Sequence, residues 1–154
     1  MSHIIYAKLL VVNTADLGYD YKMYSDETLE RFKAVKNMGK IADADAIGEV
    51  GNVYCGDIMR LYLKIDKVKD IILDAKFKTF GCVAAIVSMD MACEKLKGLT
   101  LDEALKITNR DVLSLMGANI PKQKIHCSVM AQESIEAAIK TYRGEPFTPH
   151  DHHH

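Results

Sequence analysis

The sequence lacks three features that would assign a chain of this size to a broad functional class. It has no excess charge: 20 basic residues stand against 21 acidic ones, and a formal net charge of −1 gives no electrostatic case for a nucleic-acid partner. Its apolar run Ile4–Val12 is interrupted by Lys8 and falls far short of the roughly 20 residues of a membrane span. That run also lacks the basic flank and small-residue cleavage site of a secretory signal. We therefore expect a cytoplasmic protein with no membrane partner.

Cysteine is scarce too, with four residues and no C-x-x-C pair. In a chain without a secretory signal, four cysteines fit reduced thiols with metal or catalytic work better than a disulfide framework. The length of 154 residues suits one domain, and 49% hydrophobic residues are enough to form a core.

Two segments in the middle of the chain alternate apolar and polar residues. Residues 58–65 have this period of two, and residues 73–79 repeat it, with Leu73, Ala75 and Phe77 on the apolar side. The pattern predicts an antiparallel hairpin with one face in water. The preceding glycine-rich stretch, residues 39–51, has no sustained period and predicts loop and short extended segments.

The remaining segments have a helical period. Helices are predicted over residues 25–35, 82–97 and 101–107, from Asp111 to Gly117, and from about Ser128 to Arg143. Thr100 and Glu103 have the spacing of a capping box, and Gly98 is placed to end the helix before it. Strands before helices, with no βαβ alternation, predict an α+β domain whose helices cover one face of a small antiparallel sheet.

Three of the four cysteines stand at the ends of predicted elements. Cys55 lies in a glycine-flanked turn, Cys82 lies between a strand and a helix, and Cys127 follows His126 where the last helix begins. Helix N-termini favour the thiolate form, which is the form that binds metals. Cys93 differs, because it lies in the middle of a predicted helix and is interpreted as core filler.

The residues alone leave the role of the pair His126 and Cys127 open. Cys127 could be a buried filler, a nucleophile with His126 as its base, or one ligand of a metal site. The wide separation of Cys55, Cys82 and Cys127 matches no compact ligand motif, so spacing by itself is weak evidence for zinc or a cluster.

Three sequence blocks narrow these alternatives. They read NMGKIADADAIGEVGNVYCGD at residues 37–57, KFKTFGCVAAI at 76–86 and KIHCSVMAQESIEAAI at 124–139. In order and spacing they resemble the U-type iron-sulfur cluster assembly scaffolds, IscU and the N-terminal domain of NifU. The resemblance runs from about Met23 to Tyr142. It implies an IscU/NifU-N-like α+β fold with about three strands.

The resemblance also implies the site. Cys55, Cys82 and Cys127 would bind the nascent cluster, with Asp57 or His126 near the fourth position. This ligand set is chemically reasonable, because soft thiolates hold iron while a harder oxygen or nitrogen ligand makes release easier. The implied cargo is a 2Fe-2S cluster in preference to a 4Fe-4S cluster, and zinc is the ion that the same ligands could hold instead.

A member of this family would be an assembly scaffold and carrier, not an enzyme. It would take sulfur from a cysteine desulfurase of the IscS/NifS type, take up iron, and pass the cluster to apo-proteins. The alternatives are a zinc-binding structural or interaction domain and a sulfur-relay thiol enzyme. The enzyme reading lacks an orienting acid or a substrate-shaping motif in the sequence. Oligomeric state, including a homo-oligomer, stays open.

The expected organisation has three parts. Residues 1–22 form an extension with no counterpart at the usual family start, residues 23–145 form the scaffold domain, and residues 146–154 form a tail whose histidines we attribute to a purification tag. Residues 120–124 read IPKQK where bacterial IscU proteins carry Leu-Pro-Pro-Val-Lys, which argues against dependence on a dedicated Hsp70-type chaperone.

Overall fold

The computed structural model describes residues 26–52, 57–116 and 126–148. The elements run in the order α1 (Asp26–Lys33), β1 (Ala46–Asn52), β2 (Asp57–Asp66), β3 (Ile71–Phe80), α2 (Val83–Leu96), α3 (Leu101–Leu105), α4 (Asn109–Met116) and α5 (His126–Arg143). The three strands form one antiparallel sheet in the order β1-β2-β3. The predicted α+β class with a three-stranded antiparallel sheet is thus confirmed.

The register of the sheet determines which connections lie at the same end. Asn52 at the end of β1 is opposite Asp57, and Ile58 is opposite Phe80 at the end of β3. We call this the upper end of the sheet. The lower end carries the turn between β2 and β3, residues 67–70.

Helices α2 and α5 pack on one face of the sheet and form the core with it. The core-facing side chains of β2 (Met59, Leu61, Leu63 and Ile65) recur at every second residue, as the alternation predicts, and Tyr62 on the opposite face is buried as well. The fully buried large residues from strands and helices include Met59, Leu61, Leu63, Ile72, Phe77, Val87, Met89, Leu96, Ile135 and Ile139. No helix within the described ranges combines the length and apolar character needed to cross a bilayer.

The start of β3 departs from the predicted alternation. Lys64 pairs with Asp74 and Ile65 pairs with Ile72, so Leu73 has no direct partner in the ladder. Ile72 is fully buried, whereas Leu73 is 56% exposed. The assignment of Leu73 to the apolar face was wrong, because a β-bulge inserts one residue into the strand and reverses the alternation before it.

Strand β1 occupies part of the stretch for which the sequence predicted loop and short extended segments. Ala46 and Val50 are buried beneath α5, and Gly48 lies between them. A Cβ atom at Gly48 would collide with the backbone of α5 at Ser134 and Ala138. The glycine that weakened the strand pattern is therefore what lets the helix approach the strand.

The helix ends show both predicted and additional caps. Thr100 and Glu103 form the expected capping box at the start of α3. Helix α4 begins at Asn109, before the predicted Asp111, because a second reciprocal pair caps it: Thr108 N donates to the Asp111 carboxylate (2.9 Å), and Asp111 N donates to the Thr108 hydroxyl (3.3 Å). Helix α5 begins at His126 instead of Ser128.

A buried polar cluster joins the segment after α1 to α2. The fully buried carboxylate of Asp90 accepts hydrogen bonds from Arg31 Nε (3.1 Å), from Lys36 N (3.1 Å), and from the backbone and side-chain amides of Asn37 (2.9 Å each). Lys97 Nζ donates to Asn37 Oδ1 at 2.6 Å. Within the described residues, every buried side-chain nitrogen and oxygen has a hydrogen-bond partner. This cluster therefore carries buried charge without an unsatisfied group.

Candidate metal centre

Cys82 is the predicted ligand whose side chain the structure describes. It is the N-cap residue of α2, with an extended backbone (φ −78°, ψ 174°), and its carbonyl oxygen accepts the Ile86 N–H at 3.1 Å. The residue is 9% exposed and packs at the edge of the core. The first N–H groups of a helix have no partner within the helix, so an anionic sulfur is favoured at this position.

Asp57 and Cys82 lie at the same end of the sheet because of strand register. Asp57 is the first residue of β2 and directly precedes Ile58, which is opposite Phe80. Cys82 follows Phe80 after one glycine. The side chain of Asp57 lies outside the described residues, and so does Cys55, which belongs to the connection between the paired residues Asn52 and Asp57.

His126 and Cys127 are the first two residues of α5. Their backbone is helical, and their side chains lie outside the described residues. The predicted position of Cys127 just before the helix is therefore corrected to a position within its first turn. Like Cys82 at the start of α2, Cys127 thus belongs to the first turn of a helix, whose N–H groups have no partner within the helix.

Contacts at the far end of α5 show how this helix is directed. Arg143 Nη2 donates to Asp102 Oδ1 at 2.8 Å, and Thr100 forms a bridge with Ile71, the first residue of β3. The last turn of α5 thus lies at the lower end of the sheet. An 18-residue helix is about 27 Å long. Because α5 lies along β1, its first turn is directed toward the upper end.

Two element ends thus lie at the upper end of the sheet, namely the start of β2 and the junction of β3 with α2, and the start of α5 is directed toward the same end. Strand register places Asp57 and Cys82 at this end, and His126 and Cys127 begin the helix that is directed toward it. Among the side chains that the structure describes there is no group of three or more His, Cys, Asp or Glu residues placed to hold a metal ion, and Cys82 alone of the predicted ligands belongs to that set.

Cys93 occupies a different environment on the same helix. It is fully buried in the core, as the sequence predicted. Burial, together with the nearby negative charge of Asp90, raises the pKa of the Cys93 thiol well above its ordinary value. The thiol is therefore protonated at neutral pH and is not suited to bind a metal.

The sequence reading missed an apolar pair at the upper end of the sheet. Ile58 and Phe80 are cross-strand neighbours on the face away from the helices, and they are 45% and 74% exposed. The sequence could have revealed this pair, because both apolar residues occupy strand positions at which the alternation predicts polar side chains.

Comparison with known proteins agrees with the geometry. The family model described as "NifU-like N terminal domain" matches residues 23–149. The nitrogen fixation protein NifU of Trichormus azollae is 48% identical over 134 residues, which cover 83% of this chain and 44% of that protein. The iron-sulfur cluster assembly scaffold protein IscU of Azotobacter vinelandii is 42% identical over 123 residues, which cover 78% of this chain and 94% of that protein.

A solved structure shares the fold. It is described as an iron-sulfur cluster assembly scaffold protein for the SUF system, from Fervidobacterium islandicum AW-1, and it matches with a TM-score of 0.65 and 25% identity. The match covers 79% of this chain and all of that one. The chain spans less than half the length of the NifU relatives. These findings confirm the resemblance that the three sequence blocks indicated.

Proposed function

Because the chain belongs to the NifU-like N-terminal domain family, we propose that it is a scaffold on which an iron-sulfur cluster is assembled and from which the cluster is passed to other proteins. The observation that most supports this proposal is that strand register places Asp57 and Cys82 at the upper end of the sheet, while the helix that begins at His126 and Cys127 is directed toward that end. The proposal concerns residues 23–145, the part that corresponds to the scaffold domain.

Cys55, Cys82 and Cys127 are the proposed thiolate ligands. Two of them belong to helix starts, where unpaired N–H groups and the helix dipole stabilise an anionic sulfur before the metal arrives. Iron-sulfur clusters are commonly held by four thiolates, so a set of three leaves one coordination position for a weaker ligand. Asp57 or His126 supplies that ligand.

Asp57 is the proposed release ligand. Its carboxylate is hard, while the iron it would bind is already held by soft sulfur donors, so it is the ligand that water or an acceptor thiol displaces most easily. A cluster on such a site is stable enough to form and labile enough to leave. A carrier needs both properties, whereas a resident electron-transfer centre needs only the first.

The chain itself carries out no catalytic turnover in this proposal. A pyridoxal-phosphate cysteine desulfurase supplies persulfide sulfur, which one of the site thiolates accepts with release of the desulfurase thiolate. An external electron donor reduces this sulfur by two electrons to the sulfide of the cluster, and apo-proteins receive the finished cluster. The cargo is proposed to be a 2Fe-2S cluster. We also propose a cytoplasmic location, because a reducing compartment keeps the cysteines in the thiol form that binds metal.

Metal and sulfide analysis tests the proposal. The full chain is produced and purified without oxygen, and iron, zinc and acid-labile sulfide are measured per chain. We expect iron and sulfide in equal amounts. Zinc in a one-to-one ratio without sulfide would support the zinc-domain alternative instead. Steady conversion of a small substrate in the absence of a desulfurase would support the enzyme alternative.

A further inference from the structure

The upper end of the sheet exposes an apolar pair on the face away from the helices. Ile58 and Phe80 are directly opposite each other, and Phe80 is 74% exposed. Single exposed apolar residues are common on protein surfaces, but here two large ones are adjacent at the end of a sheet.

The next cross-strand pair on the same face carries two like charges. Arg60 is directly opposite Lys78, an arrangement that destabilises a sheet. Glu49 on the other side of Arg60 forms an ion pair with it at 2.6 Å. Lys78 and its neighbour on this face, Lys76, form no ion pair within the described part of the chain. Two lysines on this face thus remain without an ion pair in the described part of the chain, beside an apolar pair that is also exposed.

These residues flank the proposed site directly. Ile58 follows Asp57 in β2, and Phe80 precedes Cys82 by two residues. A protein that contacts the pair therefore comes within reach of the proposed ligands.

We propose that Ile58, Arg60, Lys78 and Phe80, which we call the outer patch, dock the apo-protein that receives the cluster, through a surface of that protein on which carboxylates surround an apolar side chain. This inference rests on the proposed function. The complementary charge follows from the cationic pair, and the apolar contact follows from the exposed pair.

The size and charge of the outer patch favour a brief encounter with an acceptor. Stable interfaces bury on the order of 1,600 Å² in total, far more than four side chains supply. Charged contacts around a small apolar centre mainly raise the association rate, which suits a partner that must bind, take the cluster and leave. A second copy of this chain on the same patch is disfavoured. A symmetric contact would bring the positive charges of Arg60 and Lys78 in one copy close to the same charges in the other.

The rate of cluster transfer tests the proposal. The full chain, loaded with its cluster, is mixed with an acidic apo-ferredoxin, and the second-order transfer rate constant is followed by visible circular dichroism at low and high salt. The test variants are Lys78→Glu and Phe80→Ser. The matched controls are Lys69→Glu and Val68→Ser, which make the same changes at exposed positions in the turn at the lower end.

We expect Lys78→Glu to slow transfer at low salt by about tenfold or more, and salt to narrow this difference because it screens the charges. Phe80→Ser is expected to slow transfer at both salt concentrations. Both controls are expected to stay within about twofold of the parent, since they lie far from the proposed site. Thermal unfolding of each variant verifies that the fold is retained.

The outcomes separate this inference from the function on which it rests. A parent chain that holds no iron and sulfide would overturn the proposed function. A parent that loads and transfers normally, with test variants equal to their controls, would overturn the docking inference alone. Slower loading from a desulfurase with unchanged transfer would also overturn it, because the outer patch would then contact the sulfur donor.

Discussion

The two ends of the sheet are built differently. At the lower end, backbone hydrogen bonds link the start of β3 to the segment before α3: Ile72 N donates to Leu99 O (2.9 Å), Gly98 N donates to Ile72 O (2.8 Å), and Leu101 N donates to Asp70 O (3.0 Å). The ion pair of Arg143 with Asp102 adds the last turn of α5 to this set. The upper end instead presents two large exposed apolar side chains directly opposite each other, Ile58 and Phe80, beside the like charges of Arg60 and Lys78.

Together with the proposed function, this difference predicts that stability and cluster chemistry are separated along the sheet. The lower end satisfies its polar groups locally, which is what a structural end requires. The upper end keeps features that reduce stability, and such features persist where they serve binding or chemistry. Substitutions at the two ends are therefore expected to affect different measurements.

The largest expected effect comes from the proposed ligands. Cys55→Ala, Cys82→Ala and Cys127→Ala are each expected to abolish stable cluster binding, because two remaining thiolates do not hold a cluster. Iron and sulfide per chain measure this after anaerobic purification. Cys93→Ala is the matched control on α2, with an expected loss of about 1 kcal/mol in unfolding free energy and unchanged loading. Loss of the cluster from a folded Cys93→Ala protein would overturn the ligand assignment.

The next effect concerns Gly48, which lets α5 lie against β1. Gly48→Ala is expected to lower the free energy of unfolding by about 3 kcal/mol, because the new methyl group meets backbone atoms at Ser134 and Ala138 and cannot be accommodated by a side-chain rotation. Denaturant unfolding measures this loss of stability. Ile47→Ala, at the exposed neighbouring position, serves as the control. A cost below about 0.5 kcal/mol for Gly48→Ala would contradict the close approach of α5.

The Asp57→Ala variant tests whether the Asp57 carboxylate makes the cluster easier to release or holds it in place. Asp57→Ala is expected to lose its cluster in air more slowly than the parent, because alanine removes a polar group that can compete for or open the site and leaves a drier surround. The decay of visible absorbance after exposure to air measures the rate. His126→Ala is compared in the same assay and is expected to have an effect between those of the cysteine variants and the parent. Faster decay in Asp57→Ala would show that the carboxylate anchors the cluster.

Substitutions at the lower end of the sheet are expected to change the free energy of unfolding but not the rate of cluster transfer. Thr100→Ala removes the capping box of α3 and is expected to cost about 1 kcal/mol of unfolding free energy. Thr100→Ser retains a hydroxyl and is expected to keep most of that stability. Cluster transfer measured on both variants is expected to match the parent. A change in transfer rate would show that the two ends are coupled.

The smallest expected effect is a gain in stability at the upper end. Lys78→Glu replaces a like-charge pair with an opposite-charge pair opposite Arg60, which is expected to add about 0.2 to 1 kcal/mol to the free energy of unfolding. Lys69→Glu in the turn is expected to change it little. A protein that becomes more stable and transfers its cluster more slowly would connect the unfavourable pair to function. A loss of stability in Lys78→Glu would argue against that connection.

Periodicity and end signals in the sequence predicted much of the fold. The alternation over residues 58–65 identified β2, and the Thr100 and Glu103 spacing identified the start of α3, because both depend on interactions within a few residues. The start of α4 was missed because Thr108 and Asp111 form a capping box without the usual glutamate. The blocks around the cysteines indicated the family, and the family comparison confirmed it.

What the sequence by itself determined is the type and approximate position of most of the elements, because hydrogen bonding and side-chain period are local properties; the ligand set stays a prediction. The tertiary structure decided where these elements meet. Strand register brings Asp57 to the same end of the sheet as Cys82, a bulge turns Leu73 outward, and Gly48 admits α5 against β1. Each of these depends on contacts between residues distant in the chain, and no local pattern contains the partner's position.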